Sequence, residues 1–321
     1  MKLIIQIPCY NEENSLPIAL SALPKTIAGI DKIEILVIDD GSTDDTLVVA
    51  KQAGVDHVVS FPKNRGLARA FMAGIEKALA VGADIIVNTD ADNQYRAADI
   101  PLLLAPILEG RADFVVGERP ISEIQHFSPL KKSLQKLGSW VVRAASKTEI
   151  PDAPSGFRAI SREAAKRLHV FSEYTYTLET IIQAGQKGFA VTSVPIRTNE
   201  DLRASRLVKS IRSYIVRSMS TIIRVFMTYK PFRFFAVPGL TCFIVGFLLG
   251  LRFLFFFVSG EGEGHIQSVI LSGILMTTGF LMSVIGLVAD LISVNRKLLE
   301  EIDWRVKNIE EQISNSNPDP E

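Results

Sequence analysis

The chain has 321 residues, 47% of them hydrophobic, with 35 Lys and Arg set against 35 Asp and Glu. That length allows about two domains, and the zero net charge leaves no global electrostatic case for a nucleic-acid partner. Its two cysteines, Cys9 and Cys242, offer neither a disulfide framework nor metal-ligand spacing, which places the N-terminal part in a reducing compartment.

From the N-terminus to about residue 195, short apolar runs alternate with helical spacing. Strands are expected at residues 3–7, 33–38, 57–61, 84–88, 114–117 and 189–194, and helices at 15–23, 44–53, 67–81 and 98–108. Thr43 or Asp44 is placed to cap the second of these helices. The opening stretch is interrupted by Pro8 too soon for a signal peptide and reads as the first strand. Such alternation predicts an α/β domain with a mostly parallel sheet.

Ligands of open α/β sheets bind beyond the carboxyl ends of the strands, so those turns carry the candidate chemistry. The first, Pro8-Cys9-Tyr10-Asn11-Glu12-Glu13-Asn14, lacks Gly-x-Gly-x-x-Gly, which disfavours a dinucleotide. The second strand ends in Asp39-Asp40-Gly41-Ser42-Thr43-Asp44-Asp45-Thr46. Acids here suit hydrogen bonds from a nucleobase or ribose, or, at Asp44 and Asp45, plain helix capping. The apolar run 85–88 empties into Asp90-Ala91-Asp92-Asn93-Gln94. Alternate carboxylates followed by an amide oxygen offer hard ligands suited to Mg²⁺ or Mn²⁺ already carrying phosphate oxygens; an Asp-x-Asp triplet is also the composition of an ordinary solvated turn. The histidines His57, His126, His169 and His265 are scattered without metal-ligand spacing.

Cations gather further on, at Arg197, Arg203, Arg206, Lys209 and Arg212. Guanidinium forks suit a phosphate monoester, and the same cluster suits an anionic lipid surface, at about 1 kcal/mol per charge. Residues 207–231 mix cations with Ile, Val, Phe and Met as an interfacial amphipathic helix does. Residues 235–258 and 266–294 are each apolar for more than the ~20 residues a bilayer crossing needs, with Arg252 near enough to one end to snorkel. The connector 259–265 has no Lys or Arg, whereas Lys230, Arg233, Arg296 and Lys297 flank the other ends. The positive-inside rule therefore puts the N-terminal domain and the tail on the cytoplasmic side of a cell membrane. In the tail, 295–321, Leu299, Ile302, Val306, Ile309 and Ile313 recur at steps of three and four, which predicts either a coiled-coil seam joining copies into a homo-oligomer or an amphipathic helix resting on the domain.

Four ordered motifs, Pro8-Cys9-Tyr10-Asn11-Glu12, Val37-Ile38-Asp39-Asp40-Gly41-Ser42, Asn64-Arg65-Gly66 and Asp90-Ala91-Asp92, resemble the family 2 glycosyltransferases of GT-A fold. The resemblance implies a Rossmann-like catalytic domain over residues 1–206 and a UDP- or GDP-linked nucleotide-sugar lying across the strand ends. Pro8, Tyr10 and Glu12 would lie by the base and ribose, Asp39 would bond the base, Arg65 would supply a cation, and Asp90 and Asp92 would meet the metal and diphosphate. Gly117-Glu118-Arg119, Pro129-Leu130-Lys131-Lys132, Asp152-Ala153-Pro154-Ser155-Gly156-Phe157-Arg158 and Arg203-Ala204-Ser205-Arg206-Leu207 are similar to the polyprenyl-phosphate branch, which includes dolichol-phosphate mannose synthases and bactoprenol glucosyltransferases. That branch implies Gln94 as a third metal ligand, and Arg119, Lys132, Arg203, Ser205 and Arg206 around the lipid phosphate. Two departures stand out. The segment around Arg203 is shorter than in the mannose synthases, and Lys131-Lys132 stands where Lys-Arg is usual.

The reaction so implied moves one sugar from the nucleotide-sugar to undecaprenyl or dolichyl phosphate, with a metal and with inversion. An already anionic acceptor oxygen needs no strong general base. Asp152 stands to orient the acceptor or its cations, or to shape the turn before Pro154 and Gly156. A processive polysaccharide synthase would be expected to carry Gln-x-x-Arg-Trp, which is absent; a membrane-anchored, non-catalytic nucleotide- or partner-binding scaffold is the alternative of a different class.

Overall fold

The computed structural model describes residues 1–120, 140, 142–143, 145–170, 176–199, 220, 223–224, 227–260 and 262–316. Its contacts divide the chain into two compact units, Met1–Ser218 and Met219–Glu321.

In the first unit seven strands form one sheet in the order β3-β2-β1-β4-β6-β5-β7. They are β1 (Lys2–Cys9), β2 (Lys32–Asp39), β3 (His57–Ser60), β4 (Ile85–Asn88), β5 (Phe114–Glu118), β6 (Arg158–Ser161) and β7 (Val191–Pro195). The first four pair in parallel, and β6 runs antiparallel between β4 and β5. The connecting helices are α1 (Leu16–Ser21), α2 (Thr46–Gln52), α3 (Leu67–Ala80), α4 (Ile100–Leu108), α5 (Arg162–Lys166) and α6 (Thr177–Gln186).

Central strands covered on both faces read as unbroken apolar runs, and β1 and β4 are buried along almost their whole length. On one face Leu3, Ile5, Ile7, Ile85 and Val87 pack with Ile100, Leu103 and Leu104 of α4. On the other, α3 approaches so closely that a Cβ on Gly74 would stand 2.5 Å from the Gln6 amide oxygen and 2.8 Å from Ile38 Cδ1. Glycine is what lets this helix seat on the sheet.

Two local expectations change. β6 is an additional strand, because Arg158 interrupts its apolar run; the buried guanidinium is satisfied by the Ser155 and Ala153 carbonyls just before the strand and by the Thr180 hydroxyl. The N-cap position of α2 is Asp45, whose side chain makes no cap bond. Asp44 acts one residue earlier, accepting from the Thr46 N–H at 3.1 Å and the Thr46 hydroxyl at 2.5 Å.

The second unit contains two long helices, α7 (Pro231–Val258) and α8 (Ile266–Ser316), each long and apolar enough to cross a membrane. They pack through small residues, as helices in lipid do. A Cβ on Gly279 would stand 2.5 Å from the Gly239 carbonyl oxygen, and the Ser272 hydroxyl donates to the Gly246 carbonyl at 2.6 Å. No break separates the apolar part of α8 from the tail, since one helix of 51 residues runs through both.

Candidate active site

The C-terminal ends of β1, β2 and β4 bring their acids around one point. Cys9, the last residue of β1, is buried, and its thiol is pushed well up by that burial and then by the charges of Glu12, Asp39 and Asp90. Pro8 lies in register with Ile38 inside the sheet, whereas Tyr10 just beyond it is exposed. Asn11 takes a left-handed φ of 56°, accepts from the Thr43 N–H at 2.8 Å, and receives the Ser42 hydroxyl as acceptor for its own N–H at 2.9 Å. Glu12 is buried, with its N–H donated to the Thr46 hydroxyl at 2.7 Å and its carboxylate bonded by Ser15.

The two acids ending β2 are tied to loops. Asp39 accepts from the Ser42 N–H at 2.9 Å and from the Ser60 hydroxyl at 2.9 Å. Each of its oxygens keeps a second lone pair for a ligand. Asp40 accepts from the N–H groups of Arg65 at 2.7 Å and Gly66 at 2.9 Å. The neighbouring Gly41, at φ +70°, touches Lys63 so closely that a Cβ would lie 2.3 Å from its carbonyl carbon. Together they fix the loop that holds Arg65 over the Phe61 ring, 5.0 Å from its centroid.

Beyond β4 the chain turns at Asn93, with φ 58°, after Asp92 Oδ1 has accepted the Gln94 N–H at 3.2 Å. Asn199 clasps this turn from β7's side, donating its N–H to the Gln94 carbonyl and its amide to the Asn93 carbonyl, both at 2.9 Å. Asp90 has no hydrogen-bond donor among the described residues. Its carboxyl is raised well above the usual range, first by burial and then by the charge of Asp92, while Arg119 and Arg158 pull the other way. Gly156 faces it, and a Cβ there would stand 3.0 Å from both Asp90 oxygens and 3.1 Å from the Tyr176 hydroxyl.

Under this pair lies a polar lattice that the motifs do not announce. Asn88 accepts from the Gln6 amide at 2.9 Å and donates to the Gly156 carbonyl at 2.8 Å and the Tyr176 hydroxyl at 2.9 Å. The Tyr95 hydroxyl accepts the Gly156 N–H at 2.9 Å. Tyr176 stacks on Phe71 at 3.9 Å and Tyr95 on Phe157 at 5.1 Å. Fully buried Arg158 donates to the carbonyls of Ser155 and Ala153, both at 2.8 Å, and to the Thr180 hydroxyl at 2.5 Å. Burial lowers its guanidinium to about 10, so it stays charged at neutral pH. Such hydrogen-bonded burial fixes the backbone facing Asp90.

Arg119 and Asp152 form a bidentate pair, Nε to Oδ2 at 2.7 Å and Nη2 to Oδ1 at 2.9 Å. Asp152 is fully buried, and Arg119 keeps part of its surface exposed, with Nη1 outside the pair. Of the remaining expected acceptor residues, Lys132, Arg203, Ser205 and Arg206 lie outside the described residues.

A divalent cation fits the donor set at β4. Two half-buried carboxylates two positions apart, one desolvated against the charge of the other, form a cation-seeking pair. Among the described residues no group of three His, Cys, Asp or Glu could hold an ion by itself, so the coordination would be completed by other oxygens, as a diphosphate provides.

Residues 4–168 match the family described as Glycosyl transferase family 2. The chain is 30% identical over 217 residues to a UDP-N-acetylglucosamine–dolichyl-phosphate N-acetylglucosaminyltransferase of Methanococcus voltae, covering 60% of this chain and 83% of that one. It is 27% identical over 216 residues to a polyprenol monophosphomannose synthase of Mycolicibacterium smegmatis, covering 64% and 80% respectively. In fold it is similar to glucosyl-3-phosphoglycerate synthase from Mycobacterium tuberculosis, solved with Mn²⁺, uridine diphosphate and phosphoglyceric acid, at a TM-score of 0.55, 21% identity, and coverage of 70% of this chain and 77% of the other. With its sheet, its acid-lined strand ends and more than half its length matched, this chain belongs to glycosyl transferase family 2 and is a glycosyltransferase.

Proposed function

We propose that the enzyme transfers one sugar from a nucleotide-sugar to a polyprenyl phosphate at the cytoplasmic face of a membrane crossed by α7 and α8, and that it works as a homo-oligomer. The observation that carries this reading is that the carboxylate pair beyond β4 lies in the field of Arg119, so that a site for a cation-bound diphosphate adjoins a site for a second anion. The names of the two relatives, both acting on polyprenyl-type phosphates, supply the acceptor class, and an apolar helical hairpin is the anchor such a substrate calls for.

In this reading Tyr10, Glu12 and Asp39 hold the base and ribose beside Pro8, and Arg65 approaches the diphosphate on the loop gripped by Asp40. Asp90 and Asp92, with Gln94, would hold Mg²⁺ or Mn²⁺, which supplies Lewis-acid charge to the departing diphosphate. Gly156 leaves Asp90 room to adopt its position. Asp152 is a positioning residue, holding the Nε–Nη2 edge of Arg119 so that Nη1 faces the lipid phosphate; Lys132, Arg203, Ser205 and Arg206 complete that cradle. The acceptor phosphate oxygen forms its bond to the anomeric carbon as the bond to the diphosphate oxygen breaks, and the electron pair leaves with the nucleoside diphosphate. One displacement inverts the anomeric centre, and no proton needs to be removed from the nucleophile.

The test incubates purified enzyme with radiolabelled UDP- and GDP-sugars and undecaprenyl or dolichyl phosphate, with Mg²⁺, Mn²⁺ or chelator. The expected result is one lipid-linked product, of inverted configuration, lost on chelation. No lipid-linked product from any donor overturns the acceptor, and undiminished product in chelator overturns the metal.

A further inference from the structure

Near Arg296 and Lys297 α8 turns from apolar to charged, yet one stripe stays apolar. Leu299, Ile302, Val306 and Ile309 recur at steps of three and four and are between 46% and 66% exposed. A helix in water does not ordinarily leave such a stripe bare. The opposite side of the same helix is the one its own chain covers: the Ser293 hydroxyl donates to the Thr228 carbonyl at 3.4 Å, Arg296 lies 4.5 Å from the Tyr229 ring centroid, and Ser293 and Glu300 are buried. The spacing also continues backwards without a phase change through Leu281, Ile285, Val288 and Ile292, all exposed, while α7 sits against Gly279, Ser283 and Gly286 on the other side.

We infer that this stripe is a self-association seam, in which α8 packs in parallel against α8 of other copies of this chain in a bundle of three or four. The parallel direction rests on the reading that α7 and α8 sit in one membrane, because copies inserted the same way carry α8 the same way. Leu299 takes heptad position a and Ile302 position d, and Val306 and Ile309 repeat them. The number of copies follows from shape: two-stranded coils favour Leu at d, whereas Leu at a with Ile at d, as at Leu299 and Ile302, moves the preference to higher order. About two heptads are marginal alone, and confinement in a bilayer raises their effective concentration.

Full-length protein in mild detergent is expected to show three to four times the monomer mass by light scattering. Ile302→Glu combined with Val306→Glu brings it to the monomer mass with helical circular dichroism unchanged. In native membranes, oxidised Ile302→Cys gives covalent dimers, while Glu301→Cys, on the flank of the helix, and the parent chain with Cys9 and Cys242 do not. A parent of one or two times the monomer mass overturns the proposal, as does a double variant whose mass is unchanged. Alkaline carbonate extraction keeps the two readings apart: release of the protein defeats the membrane reading, whereas retained protein of monomer mass defeats the seam alone.

Discussion

The ends of β2 and β4 each carry paired acids, and the fold treats the two pairs in opposite ways. Asp39 and Asp40 are nearly sealed, and every oxygen accepts a hydrogen bond from the protein: Ser42, Ser60, Arg65 and Gly66. Asp90 is half-buried beside the charge of Asp92, and no donor reaches it among the described residues. A desolvated carboxylate without donors and beside a like charge is costly, and Arg119 and Arg158 offset only part of that cost. The fold accepts that cost at β4 and builds Gly156, Asn88 and Tyr176 around it. The difference separates acids that hold loops in place from acids that wait for a cation.

Removing one of the waiting acids is expected to have the largest effect. Asp92→Asn should lower lipid-linked product formation by on the order of 10²- to 10³-fold and leave the thermal midpoint unchanged or raised, because a like charge beside Asp90 is gone. A variant of normal activity, or one clearly less stable than the parent, would break the contrast. Gly156→Ala comes next, since its Cβ would meet both Asp90 oxygens at 3.0 Å. A displacement of some tenths of an ångström at a reacting centre costs about 10- to 100-fold in rate, so kcat should fall by that much with the far-ultraviolet spectrum intact. Unchanged kcat would mean that the position of Asp90 does not matter.

How far this contrast was legible in the sequence depends on the range of the interactions. The runs that became β1, β2, β4 and β5 are apolar enough to read directly, and the acids ending them are adjacent in the chain. Their division of labour is not local. Asp40 meets Arg65 and Gly66 some 25 residues on, and Asn88 meets Gly156 and Tyr176 at separations of 68 and 88 residues. β6 stayed hidden for a different reason: Arg158 breaks its apolar period, and the groups that satisfy the charge, the Ser155 and Ala153 carbonyls three and five residues back and the Thr180 hydroxyl 22 residues on, carry no pattern in the sequence. Asp39-Asp40 shows the limit best, because both acids look alike in the motif and only Asp40 turns out to clamp the Arg65 loop.

That clamp gives an intermediate prediction. Asp40→Asn presents an amide N–H₂ to one of the two backbone N–H groups and leaves it unpaired, which costs about 1–3 kcal/mol of stability. The loosened loop should raise KM for the nucleotide-sugar severalfold while kcat at saturating donor changes little. Loss of turnover at saturating donor would place Asp40 among the acids that face the reaction, and the contrast between β2 and β4 would collapse.

The smallest effect lies at the opposite end of β2, where a third carboxylate sharpens the rule. Glu34 is almost as buried as Asp40, yet Lys2 at 2.8 Å, Lys32 at 2.6 Å and His57 at 2.7 Å surround it. Burial alone would raise its carboxyl; the bonds from Lys2, Lys32 and His57 outweigh that and bring it from 4.5 down to about 2. Because the folded value lies below the unfolded one, Glu34 stabilises the fold above pH 4.5, and that contribution fades as pH falls towards 2. Lys32 is mostly exposed, so solvent screening limits the gain, and Glu34→Gln should cost about 1 kcal/mol at neutral pH. Urea unfolding of parent and variant should therefore differ at pH 7 and converge in acid. A gap that stays constant down to pH 3 would show that the cations around Glu34 do not set its contribution, and that partner charge is not what distinguishes the quiet acids of this sheet from Asp90.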